Sequence, residues 1–340
     1  MAKTGKRGGL NKCLSTDMLV RATEATVEER IPPRIRVRKN APVELPHIMI
    51  LIDDKNRTVV EPCEQDAASS RLLYDFDLMQ GGGHLKGYLL GKEAQERILK
   101  ALDRLAEQSA VAGRPAADED FAGEEEPDGS AAMVFAVGDG NHSLASAKEF
   151  YEQLKAAHPD EDLSGHPARY AMAEIVNLHS PALEFEAIHR IITGVDVEEL
   201  LEDATERLGL LFGDIADNAL QEAGKKDDLT EAPQEIWLVR RGACQKAAIT
   251  RPTSKLAVGS LQNYLDQWLK DHPAKIDYIH GVDTVIELSK EQDNLGFLLP
   301  DMGKEELFPS VAADGALPRK TFSMGHAEDK RYYTECRKIR

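Results

Sequence analysis

The sequence is poor in the features that most often announce a function. Among its 340 residues there are four cysteines, Cys13, Cys63, Cys244 and Cys336. They lie far apart and form no C-x-x-C pair. That excludes a disulfide framework and a cysteine-built zinc site, and it implies a reducing, cytoplasmic setting. No run approaches the roughly 18–20 apolar residues that a membrane helix needs, so no membrane partner is expected. The first residues, Met-Ala-Lys-Thr-Gly-Lys-Arg-Gly-Gly-Leu, are basic but contain no apolar segment, unlike a secretory leader. Gly81-Gly82-Gly83-His84 lacks the spacing of a P-loop or a dinucleotide fingerprint, and none of the ten histidines falls in an H-E-x-x-H pattern. No internal repeat is present.

What is there in excess is negative charge. The net charge is −17, unevenly spread: residues 1–40 carry +6 and the remainder −23. An acidic body disfavours non-specific nucleic-acid binding. The first 40 residues read as a basic arm, either solvated or meeting a phosphate. Residues 41–195 read as a core α/β region and residues 196–340 as a second α/β region.

The most informative stretch is Met133-Val-Phe-Ala-Val-Gly138-Asp139-Gly140-Asn141-His142-Ser143-Leu144. Its apolar, β-prone start predicts a strand, Gly138 to Asn141 a tight turn, and the spacing of Leu144, Ala147, Tyr151 and Leu154 a helix. A strand that feeds a glycine turn and a helix start aims free backbone N–H groups at one point, which suits an anion. Asp139 and His142 add a carboxylate and an imidazole there. The plain alternative is an ordinary strand-to-helix turn with His142 near the cap.

Around this stretch, strands and helices alternate and predict a mixed α/β (α+β) class: a mixed sheet with flanking helices and a strand-turn-helix ligand site. Strands are expected at His47–Ile52, with residues 58–61 pairing with it, and at Leu85–Leu90, Ala171–Leu178, Glu235–Val239, Lys246–Thr250, Ile276–His280 and Gly296–Leu299, the last one. Helices are expected at Lys92–Gln108, Val197–Leu211, Leu261–Leu269 and from Asp283. Residues 71–79 fit a helix or an extended segment. Pro32-Pro33 should stop any helix, leaving Arg34-Ile-Arg-Val-Arg38 as an edge strand or extended arm. Residues 110–130, rich in Ala, Gly, Pro and acids, read as a flexible surface loop.

Three further groups carry chemistry. His189-Arg190 lies in an apolar run, where a histidine is often a satisfied core residue but an arginine is costly to bury without a partner. Arg21, Glu24, Glu29 and Arg30 have the spacing of ion pairs on a solvated helix face. Arg319-Lys320-Thr321 puts cations beside a hydroxyl, suited to closing over a phosphate or to a surface turn.

Together these segments resemble the bacterial domain-of-unknown-function family one-thousand-fifteen. Its Asp-Gly-His-His-Arg-Tyr turn corresponds to Asp139-Gly140-Asn141-His142-Ser143-Leu144, with Ser143 where the family has a cation. Arg21-Ala-Thr-Glu24 resembles its Arg-x-His-Glu segment, Ile188-His189-Arg190 its Thr-His-Arg block, Tyr278-Ile-His280 its Tyr-Val-His segment, and Leu317-Pro-Arg-Lys320-Thr its Met-Pro-x-Lys-Ser block. The family has a further stretch ahead of the first block, so the chain reads as N-terminally short. The turn also resembles that of the ParB and sulfiredoxin-like superfamily, which includes free-serine kinases. The resemblance implies a small-molecule ligand, namely a nucleotide with Mg²⁺, and phosphoryl transfer to a small hydroxylated substrate. Asp139 would hold Mg²⁺ or act as base, with His142 and Glu24 as further catalytic groups. Gly138, Gly140, Asn141, Ser143, Arg21, His189, Arg190, His280 and Lys320 would hold substrate and phosphate. A non-catalytic nucleotide or metabolite sensor and a metal-dependent hydrolase using His142, His189 and His280 are the alternatives. A homo-oligomer is compatible with all three.

Overall fold

The computed structural model describes residues 19–24, 26–45, 48–112, 133–223, 232–325 and 334–340. Much of the basic arm, His47 and most of the expected loop at 110–130 therefore lie outside the described residues. The chain divides into two compact units, Met1–Leu183 with Ala327–Arg340, and Glu184–His326. The class is mixed α/β, as the alternation of periodicities predicts.

The first unit runs β1 (Leu19–Ala22), α1 (Ile31–Arg38), β2 (Val43–Glu44), β3 (Met49–Ile52), α2 (Cys63–Asp66), β4 (Arg71–Asp77), β5 (His84–Leu89), α3 (Lys92–Ala112), β6 (Met133–Asp139), α4 (Asn141–Ala157) and β7 (Glu174–Asn177). Its four-stranded sheet has the order β1-β6-β3-β7. β6 is parallel to β1 and antiparallel to β3, and β3 is parallel to β7. Because β6 is an inner strand, its apolar run is continuous rather than alternating: Val134, Phe135, Ala136 and Val137 are all buried. Ile50, Ile52, Phe135 and Val137 share a core with Ala101, Leu102 and Leu105 of α3.

Several expectations are corrected here. Residues 31–38 are helical, not extended: Pro32 and Pro33 occupy the first helical positions. The amides missing there have no intrahelical partner in any case, so the pair starts the helix instead of ending one. Arg21 lies on a strand and Glu24 in an isolated bridge, so the helical ion-pair spacing does not apply. Residues 58–61 form no strand with β3. They wrap around the buried Asp54, whose Oδ2 accepts from Thr58 N at 2.5 Å and Val59 N at 2.8 Å. Residues 71–77 are extended and pair with β5 in a hairpin.

The second unit runs β8 (Phe185–Thr193), α5 (Val197–Leu208), β9 (Leu210–Phe212), α6 (Gly213–Ala223), β10 (Gln234–Arg240), β11 (Ala243–Ile249), α7 (Ala257–Asp271), β12 (Lys275–His280), α8 (Val282–Leu288), β13 (Asn294–Leu298), α9 (Lys304–Asp314) and β14 (Phe322–Met324). Its strands form an antiparallel sheet in the order β12-β8-β13-β10-β11-β9, with β14 on β8. The expected pair at 235–239 and 246–250 is β10 and β11, with Trp237 opposite Lys246. Asp196 caps α5 by accepting from Glu198 N and Glu199 N. β13 is not the last strand: β14 follows, and β15 (Arg337–Lys338) returns to the first unit and pairs with β2. Among the described residues no helix is long and apolar enough to cross a membrane.

Candidate functional site

β6 extends to Asp139, two residues further than its apolar run, and the turn is correspondingly short. The pairing with β3 matches Val137 to Ile50 and Asp139 to Met49, so Gly138 is the extra residue of a bulge. Gly140 follows in the left-handed region, φ 82° and ψ 16°, and is the N-cap of the 17-residue α4. A glycine cap supplies no side chain to the orphan donors of the first turn. The first intrahelical bond is Leu144 N to Gly140 O at 2.9 Å, so the amides of Asn141, His142 and Ser143 all precede it. Asp139 is exposed, and its Oδ1 accepts from Gly140 N at 2.7 Å, which folds the carboxylate over the turn. The result is a positive helix end bordered by one carboxylate.

The segment after β1 is fastened onto this turn. Thr23, buried, bonds Val137 O through both its amide and its hydroxyl. Asn141 Nδ2 donates to Glu24 O at 3.2 Å and lies 3.5 Å from Thr26 Oγ1. Val27 N donates to His142 Nε2 at 3.1 Å. Nε2 must then be the unprotonated nitrogen, so Nδ1 carries the proton and donates to Asn141 Oδ1 at 3.0 Å. Both ring nitrogens are thereby engaged with protein. His142 fastens Val27 to the helix start, and a proton-transfer role would require this clamp to open. Half-buried Arg21 lies on β1, and half-buried Glu24 in the bridge just after it, beside the turn.

Two cations near the turn were not among the expected site residues. Arg34 and Arg30 are close enough to His142 to lower its pKa, and Arg34 Nη1 is held by Arg30 O at 2.9 Å. They reach it because α1 packs on α4 through Ile35 and Phe150. The signal was available: prolines at the first helical positions followed by Arg at helical spacing. Arg30 and Arg34 restore positive charge beside a turn in which Ser143 replaces the family's cation.

The remaining candidates belong to the second unit. On β8, His189 faces Ile279 and Arg190 faces Tyr278 of β12. His189 is buried and its Nδ1 accepts from Leu299 N at 3.2 Å. Arg190 is fully buried: Nε donates to Gln262 Oε1 at 3.1 Å, Nη2 to Arg319 O at 3.2 Å, and Nη1 to Ile188 O. Its guanidinium also lies 5.1 Å from the Tyr278 ring centre. These contacts tie β8 to α7 and to the 318–321 turn. His280 and Lys320 are exposed, Lys320 with φ 59°. Among the described residues no three His, Cys, Asp or Glu side chains are grouped to hold a metal ion.

Two imidazoles, the half-buried His142 and the buried His189, are held below the ordinary histidine range. For His142 the causes are partial burial and then the Arg34 and Arg30 charges. For His189 burial dominates, opposed by Asp301 and reinforced by Arg190. As pH falls through about 6.5, the unfolded chain takes up protons that the folded one refuses, so stability present above that pH is lost below it. The urea midpoint is therefore expected to fall between about pH 7 and pH 5. The fall should shrink in His189→Asn, whose side-chain oxygen still accepts the Leu299 amide. Superimposable pH profiles for the two proteins would contradict this assignment.

Comparison with known proteins places the chain as follows. No curated protein matches it significantly. Among solved structures it is similar to a free serine kinase in complex with AMP, at 12% identity and TM-score 0.46, covering 90% of this chain and 83% of that one. It is also similar to SbnI with a C-terminal truncation from Staphylococcus aureus, at 9% identity and TM-score 0.42, covering 91% and 80%. A conserved hypothetical protein from Pyrococcus furiosus matches at 10% identity and TM-score 0.42, covering 91% and 88%. The profile of one protein family matches residues 4–277, and the chain belongs to that family, Protein of unknown function (DUF1015).

Proposed function

We propose that the turn at Gly138–Ser143 binds the phosphate of a nucleotide or phosphorylated metabolite, and that the protein transfers phosphate to a small hydroxylated substrate. The observation that carries the reading is Gly140: a left-handed, side-chain-free cap leaves three successive amides of a long helix for a ligand. Arg30 and Arg34 supply the positive charge that a phosphate needs beside them. Asp139 would hold Mg²⁺, which is commonly bound by one or two carboxylates plus the phosphates themselves and would neutralise their charge. It is equally placed to accept the proton of an attacking hydroxyl. Glu24 is the second carboxylate beside the turn. Asn141 and His142 hold Glu24 and Val27 in place while the helix amides do the binding.

The second reading, a non-catalytic nucleotide or metabolite sensor, is favoured by one specific observation. His142 is committed at both nitrogens to Val27 and Asn141, which takes an acid–base group out of the site. Calorimetry with ATP, ADP and CTP in the presence of Mg²⁺ tests the nucleotide as the shared ligand: binding of at least one is expected, and no heat from any of them removes the nucleotide from both readings. Turnover assays on Asp139→Asn separate them. The kinase reading predicts retained nucleotide binding and a loss of about 10²–10⁴-fold in rate. Binding without turnover in either protein favours the sensor.

A further inference from the structure

A cleft of the first unit lies away from this turn. β3 runs antiparallel to β6, so its start, Met49, pairs with Asp139, while its far end leads into the 53–62 loop. Between that loop and the outer face of α3 lies a cavity of about 480 Å³. This is within the range of small-ligand sites, roughly 300–1,000 Å³. Four cations line it, Arg57, Arg97, Lys100 and Arg104, against two carboxylates, Glu93 and Glu96.

Three of the cations are at i, i+3 and i+7 on α3 and therefore share one helix face, where like charges repel. The fourth comes from a different element, so the convergence is not a by-product of helix periodicity. The opposite face of α3 carries Ile98, Leu102 and Leu105 into the core, which fixes the direction of the basic face. Two of the guanidiniums are themselves held. Arg97 donates to Asp66 Oδ2 at 3.0 and 2.5 Å, and Arg57 Nη2 donates to His179 O at 3.2 Å. Arg97 Nε is buried and, among the described residues, has no hydrogen-bond partner. Anchored guanidiniums lose less freedom on meeting an anion. With Asp66 counted beside Glu93 and Glu96, the four cations still exceed the carboxylates, and an anion of matching size is attracted to that surplus.

We propose that this cleft is a second ligand site, independent of the turn at Gly140, and that it takes a small phosphate-bearing anion through Arg57, Arg97, Lys100 and Arg104. The test is calorimetry with pyrophosphate, ADP and adenosine on the full chain carrying Ser143→Glu, which places a negative charge on the turn and removes binding there. In that background pyrophosphate and ADP are expected to bind and adenosine is not, with affinity falling as salt rises. Adding Lys100→Gln and Arg104→Gln, both exposed positions, is expected to weaken pyrophosphate by at least about tenfold, with the circular-dichroism spectrum and urea midpoint retained. Absence of pyrophosphate binding in the Ser143→Glu protein overturns the proposal. So does unchanged affinity in the charge-removed variant, or adenosine binding as well as ADP. The turn reading fails separately, if Ser143→Glu leaves the stoichiometry of the wild-type chain unaltered.

Discussion

Arg190→Ala is expected to destabilise the protein by about 3–5 kcal/mol, the range for breaking a buried charged network by removing one member. The side chain is fully buried and donates to Gln262 Oε1, Ile188 O and Arg319 O. Truncation strands these acceptors without a donor and opens a cavity between β8 and α7. Arg190→Met keeps most of the volume and should recover part of the loss. Arg190→Lys keeps the charge but has one nitrogen where three are in use, so it should fall between wild type and alanine. Urea denaturation of the four proteins checks the order. A wild-type-like midpoint for Arg190→Ala would show that the guanidinium is not a structural tie, and would return it to the list of ligand contacts.

Gly140→Val is expected to have the largest effect on ligand binding at the turn. At φ 82° a Cβ meets the neighbouring carbonyl, which costs about 1–2 kcal/mol for an ordinary residue. A branched side chain is worse, and the backbone escapes by leaving the left-handed region. That turns the amides of residues 141–143 away from a common point. At least a tenfold loss of nucleotide affinity should accompany a modest loss of stability. Gly140→Asn is the informative partner, since asparagine tolerates this conformation. It should keep both properties close to wild type. Calorimetry and urea denaturation of the two variants decide it: equal loss of affinity in both would mean that the space beside Gly140, not its backbone angle, is what the ligand needs.

Much of the architecture was legible because its cause is local. The run Val134–Val137 is apolar without interruption, and only an inner strand buries both faces. The repeats of Ile98, Leu102 and Leu105 required a helix. The turn at Gly138–Asn141 followed from composition, although the bulge at Gly138 shortened it. Residues 31–38 were misread because two prolines look like a stop. Whether proline starts or ends a helix depends on which side of it the chain is helical, and here that is set by Ile35 packing on Phe150. Residues 58–61 were misread because β-branched residues next to a strand suggest a partner strand, whereas the amides of Thr58 and Val59 go to the buried Asp54. Helical spacing also misassigned Arg21 and Glu24, since charge periodicity over a few residues does not separate a helix face from an edge strand.

By itself the sequence determined the mixed α/β class, the position of the strand-to-helix glycine turn and the absence of long apolar runs, because each follows from the order of neighbouring residues. Tertiary structure alone decided what the polar side chains do. It committed both nitrogens of His142 to residues 115 positions or one position away along the chain, Val27 and Asn141. It buried Arg190 among carbonyls, and it brought Arg30 and Arg34 to a turn that lacks its own cation. It also gathered Arg57 with three cations of α3 around a cleft. Hydrogen bonds and charges act over a few ångströms in space whatever the separation in sequence, so their partners are known only once the chain is folded.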